Sequence, residues 1–369
     1  MKKIQQTLGA KKIGALLVSD FYNLAYLSQF FPLSPQEREA FLLITPHRGF
    51  LLTDGRYIEQ ARILKNDFNC LEITPRQNLV QIIANLVREE KVKCLGFEKT
   101  NLTFGEYEKL KAEVGIKLIP TYNIVEESRA IKDPKEITSI KRACQIADLA
   151  FAHLLKFLKP GLTEKEIADE IEWFIRKKGV VDLSFDPIVA SGPNSAYPHH
   201  RSGDRKIKKQ DIVLLDFGAK AENYCSDMTR VVFLGKATEE QKKVYNVVLE
   251  AQKKAIEFLK HYCHSKRSEE SGNYGIKPSE VDKASRDYIT SQGYPAIPHG
   301  LGHGVGLCEH ESPRLSFKSK DTLKPGMVFS IEPGIYLQNQ FGVRIEDLVV
   351  LTETGPQVST KSSKEIIEL

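Results

Sequence analysis

The chain of 369 residues is long enough for two domains, and its 41% hydrophobic and 27% charged residues fit a soluble globular protein. The formal net charge of +5 comes without a dense basic patch interleaved with aromatic residues, so nucleic-acid binding is not favoured. No apolar run approaches the ~20 residues that span a bilayer, and the basic start lacks the apolar region of a secretory signal, so no membrane segment is predicted.

The six cysteines are scattered along the chain and form no C-x-x-C pair. This pattern predicts free thiols in a reducing, cytoplasmic location. The cysteines are Cys70, Cys94, Cys144, Cys225, Cys263 and Cys308.

Strands and helices alternate in the first part of the chain. An apolar run from Gly14 predicts a strand, and residues 41–54 predict two strands joined by a turn. Apolar residues at helical spacing predict a helix over 79–92, and Thr103 with Glu106 has the capping-box pattern that opens another. The alternation predicts an α/β domain.

The junction between the two domains is predicted just before a strong helix start. Asp133 can cap the helix, Pro134 suits its first position, and Glu136 occupies the capping-box position. We therefore place an amino-terminal domain at 1–131 and a second domain at 132–369.

Two predicted hairpins in the second domain carry pairs of acids. Residues 211–235 form two apolar runs around a tip near Ala221 and Glu222, which sets Asp216 opposite Asp227. Directly opposed residues share one face, with Cβ atoms about 5 Å apart. Asp227 could instead cap or lie in a turn, but an aspartate inside the run LLDF needs a partner if it is buried.

The second hairpin repeats this arrangement. Residues 327–351 form two strands around a tip near Asn339, which sets Glu332 opposite Glu346 in apolar surroundings. Four converging carboxylates repel one another unless cations lie between them. The two hairpins therefore predict a single site that holds two divalent cations.

The segment HGLGHGVGLCEHE, from His299 to Glu311, lies between the hairpins. His299 and His303 are four residues apart, but the alternating glycines oppose a helix and favour an extended segment that other backbone approaches closely. His303 is the candidate imidazole ligand. Carboxylates with one imidazole and no thiolate suit Mn²⁺, Co²⁺, Fe²⁺ or Zn²⁺, and two such metals activate water for hydrolysis.

The motifs LLDFG, SDMTR, GHGVG, SIEPG and RIED, taken in this order, resemble the dinuclear metal site of the pita-bread peptidases. That superfamily includes methionine aminopeptidase, aminopeptidase P and prolidase. The resemblance implies an α+β pita-bread catalytic domain after a creatinase-like α/β amino-terminal domain, with two metals, most readily Mn, and a homodimer. The implied metal ligands are Asp216, Asp227, His303, Glu332 and Glu346.

The resemblance also implies roles for residues around the metals. Glu332 would be both ligand and proton shuttle, and His310 would steady the tetrahedral intermediate. His199 would face the substrate, although its neighbour His200 could do so instead. Alternatively, His199 is a solvent-exposed polar side chain with no role in the site.

His299 matches the branch of the superfamily that cleaves Xaa-Pro bonds and would lie near the proline pocket. Arg344 resembles the family arginine that orients an acidic ligand, although it could instead be a solvent-exposed side chain with no role in the site. These matches predict a cytoplasmic metallopeptidase that acts on proline-containing peptides. The sequence slightly favours aminopeptidase P over prolidase, and a non-catalytic binding module or a metal-free, creatinase-like hydrolase are the distant alternatives.

A polar stretch over 263–275 interrupts the second domain. It predicts a surface loop insertion. Cys263 and His264 could be metal ligands, but no partner pair is in view.

Overall fold

A computed structural model of the chain describes residues 1–32, 37–64, 67–180, 182–265 and 275–369. Residue contacts divide the chain into two units, Met1–Arg129 and Ala130–Leu369. The division falls two residues before the boundary that we place from the sequence.

The first unit is an α/β domain built on a mixed sheet. Its described strands are β1 (Ala15–Val18), β2 (Ala40–Ile44), β3 (Gly49–Asp54), β4 (Phe68–Ile73), β5 (Cys94–Glu98) and β6 (Lys117–Thr121). Its described helices are α1 (Lys2–Ala10), α2 (Phe21–Ser28), α3 (Ile58–Ile63), α4 (Leu79–Glu89), α5 (Phe104–Glu113) and α6 (Glu126–Arg129). The sheet order is β4-β3-β2-β1-β5-β6, and β2 runs antiparallel to both of its neighbours.

The central strands of this sheet are buried on both faces, which explains their continuous apolar runs. The predicted elements from Gly14 to Glu98 are confirmed. The capping box of Thr103 and Glu106 is also confirmed, with both reciprocal hydrogen bonds formed.

The second unit is an α+β domain in which helices pack on small antiparallel sheets. Its described helices are α7 (Pro134–Phe157), α8 (Glu164–Lys177), α9 (Glu239–Ser265) and α10 (Pro278–Ser291), with a 3₁₀ helix at Gly192–Ala196. The first described strands are β7 (Asp182–Leu183), β8 (Ile188–Ser191), β9 (Ile212–Phe217), β10 (Ala219–Ala221), β11 (Tyr224–Cys225) and β12 (Met228–Phe233). The later ones are β13 (Gly302–Gly304), β14 (Glu311–Leu315), β15 (Val328–Ile331), β16 (Gly334–Leu337), β17 (Phe341–Arg344), β18 (Asp347–Thr352) and β19 (Gly355–Val358).

The sheets that position the site have the orders β12-β9-β8 and β14-β13-β15-β18-β19, and β16 pairs with β17. Helix α7 begins as predicted, because Asp133 accepts hydrogen bonds from the backbone N–H groups of Lys135 and Glu136. The helices and sheets bury two large apolar clusters, one of them around α9 and the other around α7 and α8.

The prediction that the loop insertion begins at Cys263 is wrong. Helix α9 continues to Ser265, and Cys263 is a buried member of the core cluster around that helix. Residues 266–274 of the predicted loop lie outside the described residues. All six cysteines are free thiols. Among the described helices, none combines the length and apolar character needed to cross a membrane.

Candidate metal centre

The first acidic hairpin has a different register from the predicted one. Asp216 on β9 pairs with Thr229 on β12, and Asp227 lies just before β12. The tip is formed by Glu222 and Asn223, both at positive φ, one residue later than predicted. The register therefore moves by two residues, which keeps Asp227 on the same face of the strand as Thr229.

The register of the second hairpin is confirmed. The ladder of β15 with β18 ends at the pair of Ile331 with Asp347, and the ladder of β16 with β17 resumes at Gly334 with Arg344. Glu332 and Glu346 therefore lie opposite each other in the gap between the two ladders. Their backbone N–H groups donate to neighbouring elements, to the carbonyl oxygens of Leu301 and Thr229 respectively.

His303 lies on the short strand β13, which is held tightly between β14 and β15. A Cβ atom at Gly302 would lie 2.0 Å from the carbonyl oxygen of Ser330, and one at Gly304 would lie 2.2 Å from that of Ser312. The glycines on either side of His303 thus permit a close backbone approach, as the sequence predicts.

These elements meet at a cavity of about 530 Å³. Asp216, Asp227 and Glu346 are buried, at 8%, 5% and 2% exposure. Ligand atoms of Asp227, His303 and Glu346 all lie within 4.8 Å of one another. The cavity is lined by all five predicted metal ligands together with His199, His299, His310 and Arg344.

The charges in this cavity are strongly coupled. Burial, reinforced by Glu346, raises the pKa of Asp227 well above its usual range. Burial and the charge of Glu332 raise the pKa of Glu346 to about 8. Burial also raises the pKa of Asp216, although Arg344 opposes it. The acids therefore tolerate full ionisation poorly unless a cation compensates for them.

His303 and Glu332 behave as an ion pair in this setting. Nε2 of His303 lies 3.3 Å from Oε1 of Glu332 and 3.6 Å from Oδ2 of Asp227. Burial alone would favour the neutral forms, but their mutual hydrogen bond raises the pKa of His303 to about 9 and lowers that of Glu332 to about 2.

The residues present fit divalent metal ions. Among the described residues, Oδ1 of Asp216 and Oε1 of Glu346 are buried without a hydrogen-bond partner. The other oxygen of each carboxylate is held, that of Asp216 by Arg344 at 2.6 Å and that of Glu346 by Thr229 at 2.7 Å. A buried carboxylate oxygen left without a donor is costly, and a hard cation would satisfy it.

Arg344 connects the two hairpins. Besides Asp216, its Nε donates to the hydroxyl of Thr229 at 3.0 Å, and Nη1 donates to the hydroxyl of Tyr336 at 3.1 Å. Thr229 in turn donates to Glu346, so one guanidinium orients two acids. Thr229 and Tyr336 were not predicted from the sequence. The available signal for Thr229 was its position two residues after Asp227, on the same face of a strand.

The choice between His199 and His200 is resolved by the structure. His199 lines the cavity, whereas Nε2 of His200 lies 2.7 Å from Oε2 of the fully buried Glu164. Glu164 also accepts hydrogen bonds from Ser191 and Asn194, so the His200 ring is held in this hydrogen-bonded cluster.

His310 and His299 have different neighbours in the cavity. The His310 ring is exposed and stands perpendicular to that of His303, at 4.1 Å between centroids. His299 has both ring nitrogens engaged, Nδ1 with the carbonyl oxygen of Gly300 at 2.7 Å and Nε2 with the Tyr336 hydroxyl at 3.0 Å. Burial lowers the pKa of His299, which favours the neutral ring.

Arg314 is a further residue of the cavity that the sequence analysis missed. It pairs with His303 across β13 and β14, and its exposed side chain lines the cavity. Among the described residues, its guanidinium has no carboxylate partner within ion-pair distance. Only the strand pairing brings it to the site, so no motif in the sequence marks it.

A cavity that gathers buried carboxylates and an imidazole around unsatisfied oxygens defines a hydrolytic metalloenzyme. The chain belongs to metallopeptidase family M24, whose family model matches residues 138–353. The Creatinase/Prolidase N-terminal domain matches residues 1–131. The chain is therefore a metallopeptidase of the pita-bread fold with a creatinase-like amino-terminal domain, as predicted, and family membership implies divalent metal ions.

Three relatives align with nearly the whole of this chain over nearly their whole length. An Xaa-Pro dipeptidase of Pyrococcus horikoshii is 35% identical over 100% of this chain and 98% of its own length. The structure of an Xaa-Pro dipeptidase from Bacillus anthracis has a TM-score of 0.90 and 38% identity, covering 100% of this chain and 98% of that one. The structure of an X-Pro aminopeptidase from Thermotoga maritima has a TM-score of 0.86 and 33% identity, with full coverage of both chains.

Proposed function

We propose that the protein is an Xaa-Pro dipeptidase with two divalent metal ions. The dipeptidases among its relatives support this choice over the aminopeptidase P that the sequence slightly favours. Within the cavity, the residue that supports a dipeptidase is Arg314. The Arg314 guanidinium, which lies opposite His303 and has no carboxylate partner in the described part of the chain, can bind the carboxylate that ends a dipeptide, whereas a longer peptide has no charge at that position.

We assign the metal ligands to Asp216, Asp227, His303, Glu332 and Glu346, with Mn²⁺ as the first choice and Co²⁺, Fe²⁺ or Zn²⁺ as alternatives. When bound, such ions lower the pKa of a water molecule and polarise the scissile carbonyl.

The surrounding side chains transfer the proton and bind the substrate. Glu332 accepts a proton from the attacking water and delivers it to the prolyl nitrogen, which has no proton of its own as an amide and must gain one to leave. His310 donates a hydrogen bond to the developing oxyanion. His199 contacts the substrate from the opposite wall, and His299 with Tyr336 borders the proline ring.

The second candidate is an Xaa-Pro aminopeptidase that removes the first residue from longer peptides. The full-length similarity to the Thermotoga maritima X-Pro aminopeptidase supports it. For either activity we propose a domain boundary at 131/132, a cytoplasmic location and a homodimer.

Cleavage of Gly-Pro and Gly-Pro-Phe, with and without added Mn²⁺, separates the two candidates. A dipeptidase cleaves Gly-Pro and leaves Gly-Pro-Phe nearly intact. Replacing Arg314 by Met should raise KM for Gly-Pro at least about 10-fold, since a charged hydrogen bond contributes on the order of 1.5–3 kcal/mol. Arg314→Lys, which keeps the charge, should lose less. Equal cleavage of both peptides, or an unchanged KM in Arg314→Met, contradicts the dipeptidase assignment.

A further inference from the structure

A buried glutamine lies behind the two glutamates of the second hairpin. Gln252 on α9 is fully buried, and its Nε2 donates to two carbonyl oxygens, that of Ile331 at 3.1 Å and that of Ile345 at 3.2 Å. These carbonyls belong to the residues that immediately precede Glu332 and Glu346. One side chain therefore bridges both arms of the hairpin directly behind the pair of acids.

The orientation of this amide is fixed by the carboxyl-terminal segment. Nζ of Lys364 donates to Oε1 of Gln252 at 2.9 Å and also contacts the buried carboxylate of Asp347. An ammonium group has only donors, so Oε1 must face Lys364 and the NH₂ group must face the hairpin. The flipped amide would place an oxygen against two carbonyl oxygens and leave Lys364 facing an NH₂ group.

The hairpin's own ladders are interrupted at this point, where the N–H of Ile345 donates to the carbonyl oxygen of Pro333 across the arms at a long 3.3 Å. Glu332 and Glu346 use their N–H groups on Leu301 and Thr229, outside the hairpin. A backbone carbonyl buried without a donor would add a cost.

We propose that Gln252 is a positioning residue, oriented by Lys364, that holds both arms of the hairpin so that Glu332 and Glu346 face the cavity together. The inference rests on the proposed function, because it gives these two acids their role as metal ligands. Gln252 does not itself touch the cavity. It acts on metal binding only through the backbone of the two arms.

The test measures Mn²⁺ affinity by titration of metal-depleted protein, together with kcat, KM and the thermal midpoint. Gln252→Met keeps the volume and removes both donors. We expect its Mn²⁺ affinity to fall by about 10- to 100-fold, as for other groups that support metal ligands. KM for Gly-Pro should stay within about 2-fold at saturating Mn²⁺. Lys364→Met should change the affinity in the same direction by a smaller factor.

Tyr245→Phe is the matched control. Tyr245 also lies on α9, and its hydroxyl donates to the carbonyl oxygens of Lys364 and Glu365 in the carboxyl-terminal segment and not to the hairpin. We expect it to lower the thermal midpoint without changing Mn²⁺ affinity. If Tyr245→Phe weakens Mn²⁺ binding as much as Gln252→Met does, the effect is general destabilisation and the proposal is wrong.

The proposal is also wrong if Gln252→Met binds Mn²⁺ as tightly as the wild-type protein does. If Gln252→Met does not fold, Mn²⁺ affinity is measured in Lys364→Met instead. An unchanged Mn²⁺ affinity in Lys364→Met would also contradict the proposal. Failure of the proposed function gives a different pattern, in which wild-type protein binds Mn²⁺ more tightly than Gln252→Met but does not cleave Gly-Pro.

Discussion

Nη2 of Arg344 lies 2.6 Å from Oδ2 of Asp216, and both side chains are buried. The same guanidinium reaches Glu346 through the hydroxyl of Thr229. The Arg344 guanidinium thus orients both acids, and within the described ranges one oxygen of each acid remains without a protein donor.

Arg344→Lys should lower Mn²⁺ affinity by about 10- to 100-fold, because an ammonium group cannot reproduce the bonds of the planar guanidinium to Asp216, Thr229 and Tyr336. Titration of metal-depleted protein measures the change. Arg205→Lys is the control, since Arg205 pairs with Asp211 away from the cavity. An affinity equal to that of wild type would show that Arg344 does not organise the acids.

Glu332→Gln should reduce turnover by about 10²–10⁴-fold or more, since it removes the proposed proton carrier. The fold should persist, because the substitution preserves side-chain shape. Steady-state hydrolysis of Gly-Pro and circular dichroism measure the two effects. Glu309→Gln, which makes the same charge change elsewhere on the cavity wall, should lose less than about 10-fold. Normal turnover in Glu332→Gln would remove Glu332 from the mechanism.

His299→Ala should weaken cleavage of Gly-Pro more than that of any Xaa-Ala dipeptide the enzyme accepts. His299 binds the Tyr336 hydroxyl and packs edge-on against that ring, at 5.7 Å between centroids. Its loss should therefore open the proposed proline pocket. The ratio of kcat/KM values for the two dipeptides measures the effect, and Tyr336→Phe tests whether the hydroxyl contact matters separately. An equal loss for both dipeptides would contradict a role in proline specificity.

The amino-terminal unit should become less stable as pH rises from about 4.5 to about 7. Burial raises the pKa of Glu98 from 4.5 to about 7, against the donors Ser19, Asn23 and Asp20. Between these values the folded state binds a proton that the unfolded state releases, so the free energy of unfolding falls with pH, by about 3 kcal/mol in total. Below 4.5 the stabilisation is complete, and above 7 it is lost.

Hydrogen exchange of the β1 and β5 amides, corrected for the intrinsic rate, measures this slope. Glu98→Gln cannot titrate and should remove it, whatever its effect on overall stability. A wild-type slope that is flat between pH 5 and 7 would show that the four hydrogen bonds to Glu98 outweigh its burial.

Lys132→Met should destabilise the second unit by about 3–5 kcal/mol, because it leaves the carboxylate of Glu311 buried without its cation. Nζ of Lys132 lies 2.6 Å from Oε1 of Glu311, with side-chain exposures of 1% and 7%. Urea denaturation measures the loss. The double variant Lys132→Met with Glu311→Met should recover most of it, and a double variant as unstable as the single one would contradict this explanation.

The sequence was sufficient where neighbouring residues decide the structure. The helix start at Asp133, the capping boxes and the register of the hairpin around Asn339 depend on contacts within a few residues or across one turn. For the same reason the sequence identified the acids that converge. It also predicted the close approach at Gly302 and Gly304, since few other roles explain alternating glycines beside a histidine.

The tertiary structure decided what depends on distant partners. The shift of the first tip by one residue is an exception with a local cause, because Asn223 accepts positive φ more readily than Ala221. His200 turns away because Glu164, which is 36 positions earlier, binds it. Arg314 and Gln252 gain their places only through strand pairing and helix packing. Hydrophobic periodicity marks buried faces but does not state which polar groups meet there, because those contacts join parts of the chain that are far apart in sequence.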